Sequence, residues 1–199
     1  ANLDGRPLAD PRPIHFTAGM RKKAWNANVV SVGLASGFLE PLESTSIHLI
    51  QATIQQLIDF FPGRDFRARD IEEFNRRSRF HFERIRDFII LHYHLNQRSD
   101  SRFWQDCAAM EVPEALREKM ALFRSSGRIF RFDNELFTEV AWLQVMQGQN
   151  LLPEAYHPLA DLIADDETAA YLESVRDVIG KCVAVMPDHA EYIAQHCAV

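Results

Sequence analysis

The chain has 199 residues, 47% hydrophobic and 25% charged, so it holds enough apolar material for a real core. Its 28 acidic and 22 basic side chains leave a net charge of −6, which argues against a general nucleic-acid binder. Cys107, Cys182 and Cys197 lie far apart with no CxxC pair, which excludes a disulfide framework or a zinc site built on paired cysteines.

Reduced thiols of this kind, with no signal-peptide layout and no bilayer-length apolar run, lead us to expect a cytoplasmic protein without membrane association. Ala1 in place of an initiator Met points equally to a fragment, a processed product or an artificial start.

Ala1 to Asp10 is polar and reads as a turn. Arg12 to Thr17 alternates weakly and, with Pro11 and Pro13 beside it, is expected as an edge strand at most. Met20 to Asn28 is basic and carries Trp25, and Val29 to Val32 reads as a short buried strand. Gly33, Gly37 and Pro41 then force a tight excursion of the backbone.

After Ser44-Thr45-Ser46 the period becomes helical. Ile47, Ile50, Ile54, Leu57, Ile58 and Phe61 fall on one face, and Phe61-Pro62-Gly63 ends the run. Three residues after Ser44, Thr45 and Ser46 come Ile47, His48 and Leu49, so no capping box closes this helix start. Open amides at a positive helix end suit an anion or a polar cofactor edge, and Glu43 is the carboxylate immediately beside them.

Asp70 is expected to cap a long helix reaching about Asn96, with Ile71, Phe74, Phe82, Ile85, Phe88 and Ile89 inward. Its Arg76, Arg77, Arg79, Arg84 and Arg86 interleave with acids, as on a solvated face. Shorter helices follow at Arg102 to Met110, from Pro113 to Phe123, and at Asn134 to Gln147, with an extended piece at Ile129 to Phe132. Leu151 to Ile163 reads as loop with helical turns. Asp166 caps a helix carrying Tyr171, Leu172, Val175, Val178, Ile179 and Cys182, and Pro187-Asp188 restarts a last turn or two.

The expected fold is therefore mainly α with a small β contribution near the N-terminus (α+β), spanning 1–199 as a single unit. No GxGxxG follows a strand, so residue pattern alone predicts no independent dinucleotide site. His92 and His94 diverge on a helix and His48 reads as a packed or capping residue, so no metal is expected.

Gly33-Leu34-Ala35-Ser36-Gly37-Phe38-Leu39-Glu40-Pro41-Leu42-Glu43-Ser44-Thr45 closely resembles the signature of flavin-dependent halogenases of the tryptophan halogenase family. The flanks resemble it too, through Arg21-Lys22-Lys23 with Trp25-Asn26, and through Arg86-Asp87-Phe88-Ile89-Ile90-Leu91-His92-Tyr93. The resemblance covers most of the chain and weakens after about Ile163.

It implies the C-terminal helical portion of a flavin-monooxygenase-like FAD-binding fold. Residues 1–45 would complete a flavin-binding box and 46–199 would form the helical substrate side. The nucleotide-binding glycines and catalytic lysine of the family come earlier in its polypeptides. Lys22 and Lys23 match neither, so the chain by itself is expected to be inactive.

The resemblance further implies chlorination or bromination of an electron-rich aromatic, using reduced FAD from a separate flavin reductase, oxygen, and chloride or bromide. Glu43 and Ser44 take the catalytic positions, the amides of Thr45 and Ser46 the halide, and Gly33, Leu34 and Ala35 the edge of the flavin. Ser46 departs from the glycine of some relatives but keeps the amide.

Relatives acting on free tryptophan carry a Tyr-Tyr pair and a Phe-Trp pair where this chain has Arg131-Phe132 and Ala141-Trp142. Trp142 is the candidate stacking residue for an indole-like or carrier- or peptide-bound aromatic, while an isolated tryptophan on a helix more often packs in the core. A homodimer stays open, as do two other functions: a flavin-dependent aromatic hydroxylase and a non-catalytic helical binding module.

Overall fold

The computed structural model describes residues 8–197; residues 1–7 of the expected N-terminal turn lie outside them. Among the described residues the protein is mostly helical with four two-residue strands, all before residue 39. Contacts divide the chain into two compact units, Ala1–Glu154 and Ala155–Val199, where the sequence reading has one.

In the first unit, strands β1 (Gly19–Met20) and β4 (Gly37–Phe38) pair antiparallel, as do β2 (Trp25–Asn26) and β3 (Val29–Val30). The expected edge strand at Arg12 to Thr17 does not form, since prolines at 11 and 13 remove two ladder donors. The buried strand expected over Val29 to Val32 is shorter and more exposed, with Val29 62% accessible. Ala27 (φ 51°) turns the chain straight back on Trp25, and Gly33 (φ 63°) turns it away again.

Gly37 has no room for a side chain. A Cβ there would lie 2.7 Å from the Gly19 carbonyl oxygen and 2.8 Å from the Phe82 ring. Glycine thus lets β4 sit directly on the long helix.

Helix α1 (Ser46–Asp59) forms as expected, with its supposed inward face turned out: Ile47, Ile54, Ile58 and Phe61 are exposed. Ile50 and Leu57 are half-buried and Gln56 is buried, its Oε1 accepting from the Ser78 hydroxyl. Helix α2 (Ala68–His94) is the spine, ~40 Å long. Arg67 stands at its N-cap, so Asp70 lies within the first turn and does not cap.

Phe74, Phe82, Ile85, Phe88 and Ile89 are buried, as the periodicity predicts. Phe74 packs with Ala24 and Trp25, while Phe88 and Leu91 join Leu116, Phe123, Trp142 and Met146 in a second cluster. One helix therefore anchors both cores.

Helices α3 (Arg102–Ala109) and α4 (Glu114–Ser126) follow closely where expected. Ile129 to Phe132 forms no strand. Helix α5 starts at Glu139, not Asn134, with the Thr138 hydroxyl accepting from the Ala141 amide. Glu135 is drawn into the interior instead, which keeps residues 133–138 out of the helix. In the second unit, α6 (Asp165–Val185) begins after Ala164, so Asp166 is not its cap, and α7 (His189–His196) is capped by Asp188.

Candidate active site

The turn from Glu40 to Thr45 is strained and held at two points. Glu43 (φ 62°) and Ser44 (φ 51°) are consecutive left-handed residues with side chains, a conformation costing about 1–3 kcal/mol per residue. Consecutive residues of α2 take hold of the two carboxylates of this turn. The Tyr93 hydroxyl donates to Glu40 Oε2 at 2.7 Å, and His92 Nε2 lies 3.4 Å from Glu43 Oε1.

Glu40 Oε1 is buried without a partner among the described residues. The hydrogen bond to Glu40, with burial adding to it, pushes the Tyr93 hydroxyl up to about 12. The Glu43 side chain is 39% exposed, so its carboxylate is neither lost to bulk water nor sealed inside.

The helix start beyond the turn is open. The Ser44 amide donates to the Pro41 carbonyl at 2.9 Å. The amides of Thr45 and Ser46 have no acceptor among the described residues, and no side chain caps α1.

Thr45 is buried, and with Ser46, Gly33, Leu34 and Gly37 it lines a small cleft of about 50 Å³. Gly33 opens a short 3-10 turn, Gly33–Ala35, whose positive φ favours glycine, and a Cβ there would press on Ile50 at 3.3 Å. The residues expected at a flavin edge and at a halide thus meet in one cleft, Ala35 standing exposed at the end of the same turn.

A second cleft opens on His92. It is lined by Leu42, His92, Tyr93, Asn96, Arg98 and Trp104 among others. The rings of Tyr93 and Trp104 stack at 6.0 Å, and the Arg98 guanidinium sits 4.7 Å over Trp104. Sequence reasoning missed Trp104 and Arg98. The nearest signal was the Arg86–Tyr93 flank, which puts His92 and Tyr93 on the last turns of α2.

Trp142 packs in the core, the more frequent of the two places expected for it. It is 1% exposed, with its Nε1 donating to Glu135 Oε2 at 3.2 Å, Lys119 Nζ 4.2 Å from the ring centroid, and Phe88 edge-on at 4.9 Å. No face is left for a ligand to stack on.

The Lys119–Glu135 ion pair beside it is buried at 5% and 1% side-chain exposure. Burial pulls the Lys119 ammonium below its ordinary range, with the charge of Glu135 opposing. The Arg131-Phe132 pair belongs to the same knot: the Phe132 amide donates to Glu135 Oε1 and the Arg131 guanidinium to the Glu135 carbonyl. Among the described residues no three His, Cys, Asp or Glu side chains group as metal ligands.

This fold is that of flavin-dependent halogenases. The structure of Xcc4156, a flavin-dependent halogenase from Xanthomonas campestris, matches with a TM-score of 0.92 and 48% identity, over 100% of this chain and 40% of that one. BrvH, a flavin-dependent halogenase from Brevundimonas sp. BAL3, matches at 0.90 and 44%, over 98% and 39%.

The chain belongs to the tryptophan halogenase family, whose sequence profile matches residues 1–165. Among curated relatives, 7-chloro-L-tryptophan 6-halogenase KtzR of Kutzneria sp. (strain 744) is 29% identical over 188 residues, 92% of this chain and 36% of that protein. The chain thus spans between about a third and two fifths of these relatives.

Proposed function

We propose that this chain supplies the substrate side, and one wall of the flavin side, of a flavin-dependent halogenase acting on an electron-rich, indole-like aromatic. The observation that carries the reading is the turn itself: a half-exposed carboxylate on strained backbone, two residues before the first of two open helix amides, in a chain of this family. Residues 1–45 are assigned to the flavin side and 46–199 to the substrate side.

Reduced flavin, when bound, supplies the electrophilic halogen from oxygen and halide. The open Thr45–Ser46 helix end beside the Gly33–Ala35 turn fits a halide at a flavin edge. The glycine motif that would hold the nucleotide is not in this sequence, so a flavin-side portion must provide it, in the same polypeptide or as a partner. A separate reductase would supply reduced flavin. The reading also places the protein in the cytoplasm; no helix among the described residues is long and apolar enough to cross a membrane.

The amides of Thr45 and Ser46 hold the halide by dipole and hydrogen bond. As the halogen bonds to the ring carbon, positive charge grows on the ring and Glu43 stabilises it. The C–H bond then breaks, its electron pair restores the aromatic ring, and the proton passes to Glu43. Ser44 keeps Glu43 in its left-handed turn.

With Trp142 buried, the cleft at His92, Tyr93 and Trp104 is the better place for the aromatic substrate. A ring seated there lies beside the residue that touches Glu43.

The test is product formation in the chain joined to a flavin-side portion, with reductase, oxygen and halide, across tryptophan, indole and bulkier phenols and pyrroles. Halide-dependent halogenated product is expected. Hydroxylated product in its place, undiminished when halide is left out, would make the enzyme an aromatic hydroxylase.

A further inference from the structure

The geometry points to His92 as the positioning residue of Glu43, its Nε2 standing 3.4 Å from Glu43 Oε1. The inference rests on the halogenase reading for its consequence, but the ring nitrogen that faces Glu43 follows from hydrogen-bond direction at Phe88.

His92 lies one helical turn after Phe88, and its Nδ1 is 2.8 Å from the Phe88 carbonyl oxygen. A carbonyl only accepts, so Nδ1 carries the hydrogen. In a neutral imidazole that leaves Nε2 as a bare acceptor, and it is Nε2 that meets Glu43 Oε1. An ionised carboxylate is acceptor-only as well. Two lone pairs would then face each other, and the contact would repel. One proton between them removes the conflict, either on Nε2 of an imidazolium or on the carboxyl group.

The two sides of the contact are unequal in rigidity. The His92 ring packs edge-on against Phe88 at 4.9 Å, and Phe88 is 2% exposed, stacked on Phe137 at 3.7 Å. The imidazole is therefore fixed by the core. Glu43 sits on two consecutive left-handed residues that need an outside hold. Tyr93 provides that hold at Glu40 and His92 at Glu43, so one stretch of α2 sets both the shape of the turn and the aim of its acid. Within the mechanism above, the proton rests on Nε2 when Glu43 must receive another from the ring.

The test starts with the 199-residue chain, following the ring nitrogens of His92 by nitrogen-15 NMR. Glu43→Gln is expected to shift the Nε2 resonance while Nδ1 stays protonated, and Glu43→Asp, which shortens the reach, is expected to shift it in part. A His92 ring that ignores both variants, or carries its proton on Nε2 alone once Glu43 is changed, would overturn the pair.

In the assembled enzyme, His92→Phe should lower kcat by about a hundredfold with KM little changed, and His92→Gln, which keeps a donor at the Nε2 position, should recover much of it. Equal loss in both variants would make His92 merely structural. If the unaltered enzyme yields no halogenated product, the function falls, while the nitrogen spectra still decide the pairing.

Discussion

Two carboxylates in this protein sit beside a nitrogen cation or its precursor and an aromatic cluster, and they have opposite characters. Glu135 is 2% exposed and saturated: both oxygens lie within 3.3 Å of Lys119 Nζ, one accepts from Trp142 Nε1, and the other accepts from the Phe132 amide. Glu43 keeps one contact, at 3.4 Å, on a backbone that resists its own conformation. A satisfied buried acid holds structure together. An under-satisfied, half-exposed acid on strained backbone has capacity left for a substrate proton.

The largest expected effect breaks the saturated side. Lys119→Met should destabilise the protein by about 3–5 kcal/mol in urea unfolding, because it strands the Glu135 charge in the interior. Adding Glu135→Leu should return much of that loss. If Lys119→Met is neutral, the buried pair is not the anchor described here.

On the other side, Glu43→Gln should leave the unfolding midpoint almost unchanged and cut halogenated product by about a hundredfold or more in the assembled enzyme. Undiminished product removes Glu43 from the mechanism. Trp142→Phe sharpens the contrast between stacking and structural roles. Losing the Nε1 donor to Glu135 should cost about 1–3 kcal/mol of stability, with no selective change in KM for the aromatic substrate.

The Tyr93–Glu40 clamp predicts a pH signature. The Tyr93 hydroxyl titrates near 12 when folded, against an ordinary 10.0, so the folded state holds its proton more tightly. The associated stability is complete below pH 10 and fades as pH rises from there towards 12. Phenolate absorbance should lose its latest tyrosine in Tyr93→Phe, while Tyr156, raised by its hydrogen bond to Asp161, remains.

The smallest effect belongs to Glu73, whose carboxyl is held down to about 2 by hydrogen bonds from Arg76 and then Arg77. The trio lies at the surface, where solvent screens ion pairs, so Glu73→Gln should leave the unfolding midpoint in place.

Much of this was legible in the chain. The uncapped start at Thr45–Ser46 followed from three absent acids, the buried row of α2 from its period, and the place of Glu43 from a long family motif. Trp142 stayed open between two places because a tryptophan on a helix reads alike whether it faces a ligand or a core. What decided it is Glu135, seven residues earlier, whose partners Lys119 and Phe132 come from other elements. The outward face of α1 was equally hidden, since apolar spacing says that a stripe exists and not which neighbour it meets.

Local sequence by itself determined where most helices run, where glycines let the backbone turn or approach closely, and which helix end stays open. These depend on residues within a few positions of one another. Tertiary structure alone decided which acid is saturated and which is free, and that His92 and Tyr93 close over a turn some fifty residues away. Burial and hydrogen-bond partnership are set by groups distant in sequence, and only folding brings them within reach.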